Sequence, residues 1–417
     1  MKRFDPLESF ASMRHEFGEH GGVNMSIEAS TTFTVMHAHT MPEIFHGQRG
    51  PDAGGCYLYG RHFNPTVYVL GRQIAAIEGA AAGYAAASGL GAISATVLQL
   101  CNHGDHVVAG NTIYGGTFAL LKDYLPLKAG ISTTFVPAHE PAAVERAITP
   151  HTKAIYVETM SNPTLRVPNI PALAKIAHQH KISLVVDNTF APMIVSPIQL
   201  GADIVIHSLT KFMNGASDII GGAVVGPSAF IASMMDLHTG SLMLLGPTMD
   251  PRIAFEVSLR LPHLGLRMAE HGRRAMAFAE RMEALGLPVT YPGLASHPDH
   301  ALLRGMINPG FGMGGVLAVD FGTQERAEEL METLQNDERF GYMAVSLGYF
   351  DTLMSCSAAS TSSELSDEDQ RRAGIQPGLV RMSLGITGSL EQRWTQFETA
   401  LRKLEMVPAR PMTPIAG

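Results

Sequence analysis

Short apolar runs alternate with amphipathic stretches between residues 64 and 226. The runs HVVAG (106–110), TTFVP (133–137), KAIYVE (153–158), ISLVVDN (182–188), ADIVIHS (202–208) and GGAVVG (221–226) are predicted strands. EPAAVERAI (140–148) and NIPALAKIAHQH (169–180) carry apolar residues at helical spacing and are predicted helices. The strand runs are continuously apolar, as in a sheet covered on both faces. The expected architecture is therefore an α/β domain with a mostly parallel sheet.

Residues 251–285 read as one long helix or a kinked pair interrupted by Pro262. Shorter strand patterns follow at 314–321 and 379–385, so a smaller α+β region is expected there. The segment 79–104 contains no Asp, Glu, Lys or Arg, but is dominated by small residues and ends in a polar stretch. A buried helix pair is expected there rather than a membrane span. Residues 1–62 lack sustained periodicity and read as an extended arm reaching elsewhere. The division is thus an arm at 1–62, an α/β domain at 63–260 and an α+β domain at 261–417. The tract SCSAASTSSELSDED is a polar loop.

Composition changes this picture mainly by exclusion. The chain has 417 residues, 46% of them hydrophobic and 16% charged, enough to bury more than one core. A net charge of −8 without any run of Lys or Arg leaves no footprint for nucleic acid. Three dispersed cysteines, Cys56, Cys101 and Cys356, form neither a disulfide framework nor a zinc ribbon. The start MKRFDPLESFASMRHEFGEHGG has no apolar core of a signal peptide, so a cytoplasmic location is expected. His15 and His20 in HEFGEH are five apart, not the four of a helical zinc pair, and no metal is expected.

The chemistry concentrates at strand ends, where ligands of open α/β sheets bind. Glu158 follows AIYV, Asp187 follows LVV, and Ser208, Thr210 and Lys211 follow IVIH. A carboxylate at the tip of a buried strand is costly without a positive partner, and a pyridinium nitrogen supplies one for Asp187. A partly desolvated Lys211 amine loses basicity and forms a Schiff base with an aldehyde cofactor. Ser208 and Thr210, two apart, are expected to point the same way toward a phosphate. The stretch SGLGAIS (88–94), at a predicted helix N-terminus, offers a second phosphate cradle. Taken singly, a lysine after a strand is ordinarily a solvated end and an Asp in DNT a cap. Their joint occurrence describes a pyridoxal 5'-phosphate (PLP) site. GLGAIS lacks the third glycine and the preceding strand of a dinucleotide fingerprint.

The string VVDNTFAPMIVSPIQLGADIVIHSLTKFMNGASDIIGGAVVG resembles the signature of the Cys/Met-metabolism PLP enzymes, the fold-type I group of cystathionine γ-synthases, γ-lyases and O-acylhomoserine sulfhydrylases. Within it, RHEFGEHGGVNMSIEASTTFTVM (14–36), GSLMLLGPTM (240–249), PHLGLRMAEH (262–271) and VSLGYFDTLMSCSAASTSSEL (345–365) look most like plant-type methionine γ-lyases. The resemblance implies a central, mostly parallel seven-stranded type of sheet, a smaller C-terminal domain, an arm at 1–62 that contacts a neighbouring subunit, and a homotetramer with active sites shared between subunits. It makes Lys211 the lysine that binds the cofactor and Asp187 the partner of the ring nitrogen. Tyr114, in IYGGTF, becomes the residue that stacks on the ring and handles protons at the leaving group. Tyr59 and Arg61 would reach the phosphate of the neighbouring subunit, and Ser88, Gly89, Leu90, Ser208 and Thr210 the phosphate of their own. Arg381 would clamp the substrate carboxylate, helped by Ser346 and Asn162.

The same resemblance points to γ-elimination of L-methionine to methanethiol, 2-oxobutanoate and ammonia. Three departures bear on the substrate. Gly116 stands where bacterial methionine γ-lyases commonly have Cys, SLMLLGPT lacks their Lys-Asp pair, and Val345 replaces a Glu frequent in cystathionine-cleaving relatives. An apolar Val345 suits a thioether better than a second amino-acid moiety. Cystathionine γ-lyase or O-acylhomoserine sulfhydrylase chemistry on the same scaffold is the alternative. A non-catalytic PLP carrier and a nicotinamide oxidoreductase rank below it.

Overall fold

The computed structural model describes residues 3–13, 17–45, 48–50, 57–357, 368, 370 and 374–407. Cys56, His15 and the 358–367 part of the expected polar loop lie outside the described residues. Seven strands form the larger sheet: β1 (Ala82–Ala86), β2 (His106–Gly110), β3 (Ser132–Val136), β4 (Thr152–Glu158), β5 (Ser183–Asp187), β6 (Ile204–Ser208) and β7 (Gly222–Gly226). Their order is β1-β7-β6-β5-β4-β2-β3. β3, β2, β4, β5 and β6 run parallel, and only β7 is antiparallel to its neighbours β6 and β1. All five residues of β2 and of β7 are buried, as their unbroken apolar runs require.

The six strands anticipated from the pattern are present, with ends displaced by two residues at most. The segment 79–104 is different. It folds not as a helix pair but as β1, a short turn and the helix Gly89–Leu100. Its small residues answer to close packing rather than to helix propensity. A Cβ on Gly83 of β1 would stand 2.6 Å from the Gly71 carbonyl oxygen in the helix Pro65–Glu78. No helix among the described residues is long and apolar enough to cross a membrane.

The second sheet has the order β10-β11-β12-β9-β8. Its strands are β8 (Val289–Thr290), β9 (Val316–Asp320), β10 (Gly341–Met343), β11 (Thr352–Cys356) and β12 (Leu379–Ser383). The patterns at 314–321 and 379–385 become β9 and β12, whereas β8, β10 and β11 had no clear signature. Ser355 and Cys356, read as the start of a polar loop, instead end the buried strand β11. Pro262 does interrupt its helix: a short turn, Leu261–His263, separates Pro251–Arg260 from Leu264–Ala284. The latter helix packs Phe278 against Phe340, Trp394 and Phe397, with ring centroids 5.3–5.9 Å apart, in a second apolar core.

Candidate active site

Strand register brings the two buried carboxylates together. Glu158 on β4 and Asp187 on β5 are direct partners, and β6 ends beside them at Ser208. Asp187 Oδ1 accepts the Thr189 N–H at 3.0 Å, and Oδ2 accepts the Tyr156 hydroxyl at 3.1 Å. Burial pushes the Asp187 carboxyl above its ordinary range, against the Thr189 and Tyr156 bonds and the nearby His207. Glu158 Oε1 accepts the Tyr114 N–H at 2.8 Å, and Oε2 accepts the Asn162 N–H at 3.1 Å. Burial, with Asp187 beside it, raises the Glu158 carboxyl well above the usual range, although these two donors and Arg381 favour its charged form.

Lys211 stands in the turn that follows β6, its own N–H bonded to the Ser208 carbonyl at 3.2 Å. Its Nζ donates to Ser346 Oγ at 2.9 Å. Burial, and then Arg381, bring the amine from 10.5 down to about 8. Two distant segments hold this turn. Arg267 donates to the carbonyls of Phe212 and Met213, the latter at 2.9 Å. Gly348, at φ +80, lies flush against it, where a Cβ would meet the Phe212 nitrogen at 2.5 Å.

Arg381, on β12, completes the cluster and is 2% exposed. Nη1 donates to Asn162 Oδ1 and Nη2 to the Ser346 carbonyl, both at 3.0 Å. Its Nε is buried and finds no partner among the described residues. Burial lowers its pKa to about 10. A buried guanidinium with an unspent N–H is a site prepared for an anion.

On the other side, the Ser88 hydroxyl caps the helix Gly89–Leu100 by accepting the Gly91 N–H at 2.9 Å. Gly89 faces Ser208, whose Cβ would be 2.9 Å from an added Cβ, so backbone and hydroxyl close on one space. Leu90, at that helix start, is exposed. β6 ends at Ser208, so Thr210 stands in the turn beyond it. Thr210 Oγ1 donates to the Gly221 carbonyl at 3.3 Å and accepts the Gly221 N–H at 3.1 Å. Val345 is exposed next to Ser346, and the Tyr114 ring is half exposed beside Gly116.

Tyr59 and Arg61 lie apart from this group. The Arg61 guanidinium sits 5.4 Å from the Tyr59 ring and donates to the Met243 carbonyl at 3.0 Å. No hydrogen bond joins either to Lys211, Asp187 or Arg381 among the described residues. Three supporting residues were missed at the level of sequence: Tyr156, Thr189 and Arg267. Tyr156 carried a signal, a hydroxyl two positions before Glu158 on the same face of a buried strand. Arg267 carried none.

The family model for Cys/Met metabolism PLP-dependent enzymes matches residues 10–400. The chain belongs to that family. Its cofactor is accordingly PLP, as the strand-end residues imply. The methionine gamma-lyase of Arabidopsis thaliana is 56% identical over 401 residues, 96% of this chain and 91% of that one. The crystal structure of cystathionine gamma-lyase from Lactobacillus plantarum complexed with L-serine superposes with a TM-score of 0.84 at 30% identity, covering 96% of this chain and all of that one. A putative O-acetylhomoserine (thiol)-lyase from Campylobacter jejuni, whose structure contains N'-pyridoxyl-lysine-5'-monophosphate, superposes at 0.87 with 26% identity and 96% coverage of this chain. The fold is thus fold-type I, with its mainly parallel central sheet.

The residues present fit PLP. Asp187 supplies a buried acid, Lys211 a less basic amine just beyond the next strand end, and Gly89 a backbone packed closely against the Ser208 side chain at a helix start.

Proposed function

We propose that this chain catalyses γ-elimination of L-methionine to methanethiol, 2-oxobutanoate and ammonia. The observation that carries the chemistry is the run from Lys211 Nζ through Ser346 to the buried Arg381 with its unspent Nε. It sets an amine capable of proton transfer beside a receptor for an amino-acid carboxylate. The choice of methionine rests on the 56% identity to the Arabidopsis enzyme and on the apolar Val345 at the rim.

Asp187 would hold the ring nitrogen of PLP, Lys211 its aldehyde carbon, and Ser88, Gly89, Leu90, Ser208 and Thr210 its phosphate, with Tyr114 against the ring. When bound, PLP supplies an electron sink for the charge left as a proton departs from Cα. Arg381, steadied by Asn162 and the Ser346 carbonyl, binds the substrate carboxylate as a fork. The Lys211 amine, which titrates at about 8, takes and returns protons at Cα and Cβ. The Tyr114 phenol gives its proton to the departing methanethiolate. Tyr59 of the partner subunit and Arg61 of the partner subunit would complete the phosphate site, which makes the dimer the smallest active unit and fits a homotetramer. The division into 1–62, 63–260 and 261–417, and a cytoplasmic location, complete this reading.

Lys211→Ala is expected to purify without the visible absorbance of bound PLP and to release no 2-oxobutanoate; turnover near wild type would overturn the assignment. The substrate is tested by offering methionine, homocysteine, cystathionine and O-acylhomoserine, with and without sulfide, and measuring keto acid and volatile thiol. If 2-oxobutanoate arises only from cystathionine, or new thioether only from acylhomoserine, methionine is the wrong substrate.

A further inference from the structure

Glu158 has no part in the chemistry above, yet it touches both ends of the site. Its two oxygens are each used by a backbone N–H, that of Tyr114 at 2.8 Å and that of Asn162 at 3.1 Å. Tyr114 opens the helix Gly115–Ala119 without any side-chain cap, so the Glu158 contact is what fixes the direction of its backbone. Asn162 passes the contact on, since its Oδ1 accepts from Arg381 Nη1 at 3.0 Å. Arg381 in turn reaches the Ser346 carbonyl, and the Ser346 hydroxyl accepts from Lys211. One carboxyl group therefore joins Tyr114 to a continuous chain of contacts that runs on through Asn162, Arg381 and Ser346 to Lys211.

Nothing lets Glu158 leave this position. It is 8% exposed and sits at the end of β4, pinned by the register with Asp187. The space beside it, between Gly110, Ile113, Ser161 and Arg166, holds about 10 Å³, room for no more than one water. The group is thus committed to its two donors, and the loss of either oxygen leaves a buried N–H without an acceptor.

We propose that Glu158 is a positioning residue that couples the leaving-group end of the substrate to its carboxylate end, by holding Tyr114 with one oxygen and the Asn162–Arg381 clamp with the other. The proposal rests on the reading of Tyr114 as the group at the leaving thiolate and of Arg381 as the carboxylate receptor. It assigns to Glu158 an effect that neither end shows alone. A change at the clamp moves substrate binding, a change at Tyr114 moves turnover, and a change at Glu158 moves both.

Glu158→Gln is the decisive variant. The amide keeps the size of the carboxyl group but has one acceptor oxygen, so whichever way it is turned an NH2 group faces one of the two N–H donors. Three measurements on the PLP-loaded enzyme separate the roles. The first is kcat and KM for L-methionine. The second is the dissociation constant of L-norleucine, a substrate-shaped amino acid without sulfur, from the change in the cofactor's visible spectrum. The third is the visible circular dichroism of bound PLP, which reports the Tyr114 side of the ring. E158Q is expected to keep its PLP, to lose about tenfold in kcat, to weaken norleucine about tenfold, and to change the dichroism. Kinetic constants and norleucine affinity within twofold of wild type would overturn the proposal, and so would a fall in melting temperature alone. Should E158Q fail to fold, Glu158→Asp, which keeps both oxygens one methylene short, is read by the same criteria. If wild type releases no 2-oxobutanoate from methionine, the proposed reaction fails while the norleucine and dichroism arms still decide the role of Glu158.

Discussion

Lys211 gives the clearest quantitative expectation. An amine that titrates at 10.5 in water and at about 8 in the folded chain is disfavoured as a cation by its surroundings, first by burial and then by Arg381. Between these two values the unfolded chain holds a proton that the folded chain lacks, so folding stability rises with pH across that window. Below about 8 the full cost of the buried cation is present, and it fades as pH approaches 10.5. At about 1.4 kcal/mol per unit the cost is about 3 kcal/mol. The bond to Ser346 offsets about 1 kcal/mol of it. In cofactor-free protein, Lys211→Met removes the cation while keeping an apolar stem, and is expected to be more stable than wild type by about 2 kcal/mol at neutral pH. For a chain of this length that is about 2 °C in melting temperature. The assay is thermal unfolding of both apoproteins at pH ~7, ~8.5 and ~10, with the difference between them as the readout because other titrating groups cancel. The gap should shrink steadily with pH. A constant gap, or a variant less stable than wild type by the same amount throughout, would refute the depressed amine and with it the ready supply of neutral nucleophile at physiological pH.

Two further outcomes follow from the same geometry. Arg381→Lys keeps the charge but not the fork, so KM for methionine should rise about 10- to 100-fold with a smaller effect on kcat; steady-state kinetics with KM unchanged within twofold would remove Arg381 from the carboxylate site. In Gly116→Ala the new Cβ would lie 2.7 Å from Tyr114 Cε1, so the ring must move; because a ring edge yields easily, stability should hold while kcat falls several-fold, and a wild-type kcat would show that this ring position is not the one used in turnover.

Much of the site was legible because parallel strands project their ends to one side. Asp187, Ser208 and Lys211 fall at the ends of continuous apolar runs, and Glu158 meets Asp187 in register. The second half of the site had no such signal. Ser346 is 135 residues from Lys211, and Arg381 is 219 from Asn162, separations at which spacing carries no information. Those residues entered through resemblance alone. The misreadings of the fold have physical causes. The alanines of 79–104 favour a helix locally, whereas the close approach of Gly83 to Gly71 belongs to a strand packed on the helix Pro65–Glu78. Ser355 and Cys356 read as loop from their polar neighbours in sequence, whereas pairing with β12 carries β11 through them.

Four buried ionisable groups of this site share one property: the protein shifts each toward its neutral form. Lys211 and Arg381 are lowered, to about 8 and about 10, while Asp187 and Glu158 are raised, in each case first by burial. A fold selected only for its own stability would expose these groups or replace them with apolar ones. Here each cost has a matching ligand group. In the proposed reading, the pyridinium nitrogen of PLP would answer Asp187, its aldehyde the neutral amine of Lys211, and the substrate carboxylate the unspent Nε of Arg381. Glu158 is the exception, since both its oxygens are already satisfied by backbone N–H groups and no part of PLP or methionine is left for it. A buried carboxyl whose partners all lie within the protein is explained by what it holds in place, and what Glu158 holds is the distance between the two ends of the substrate.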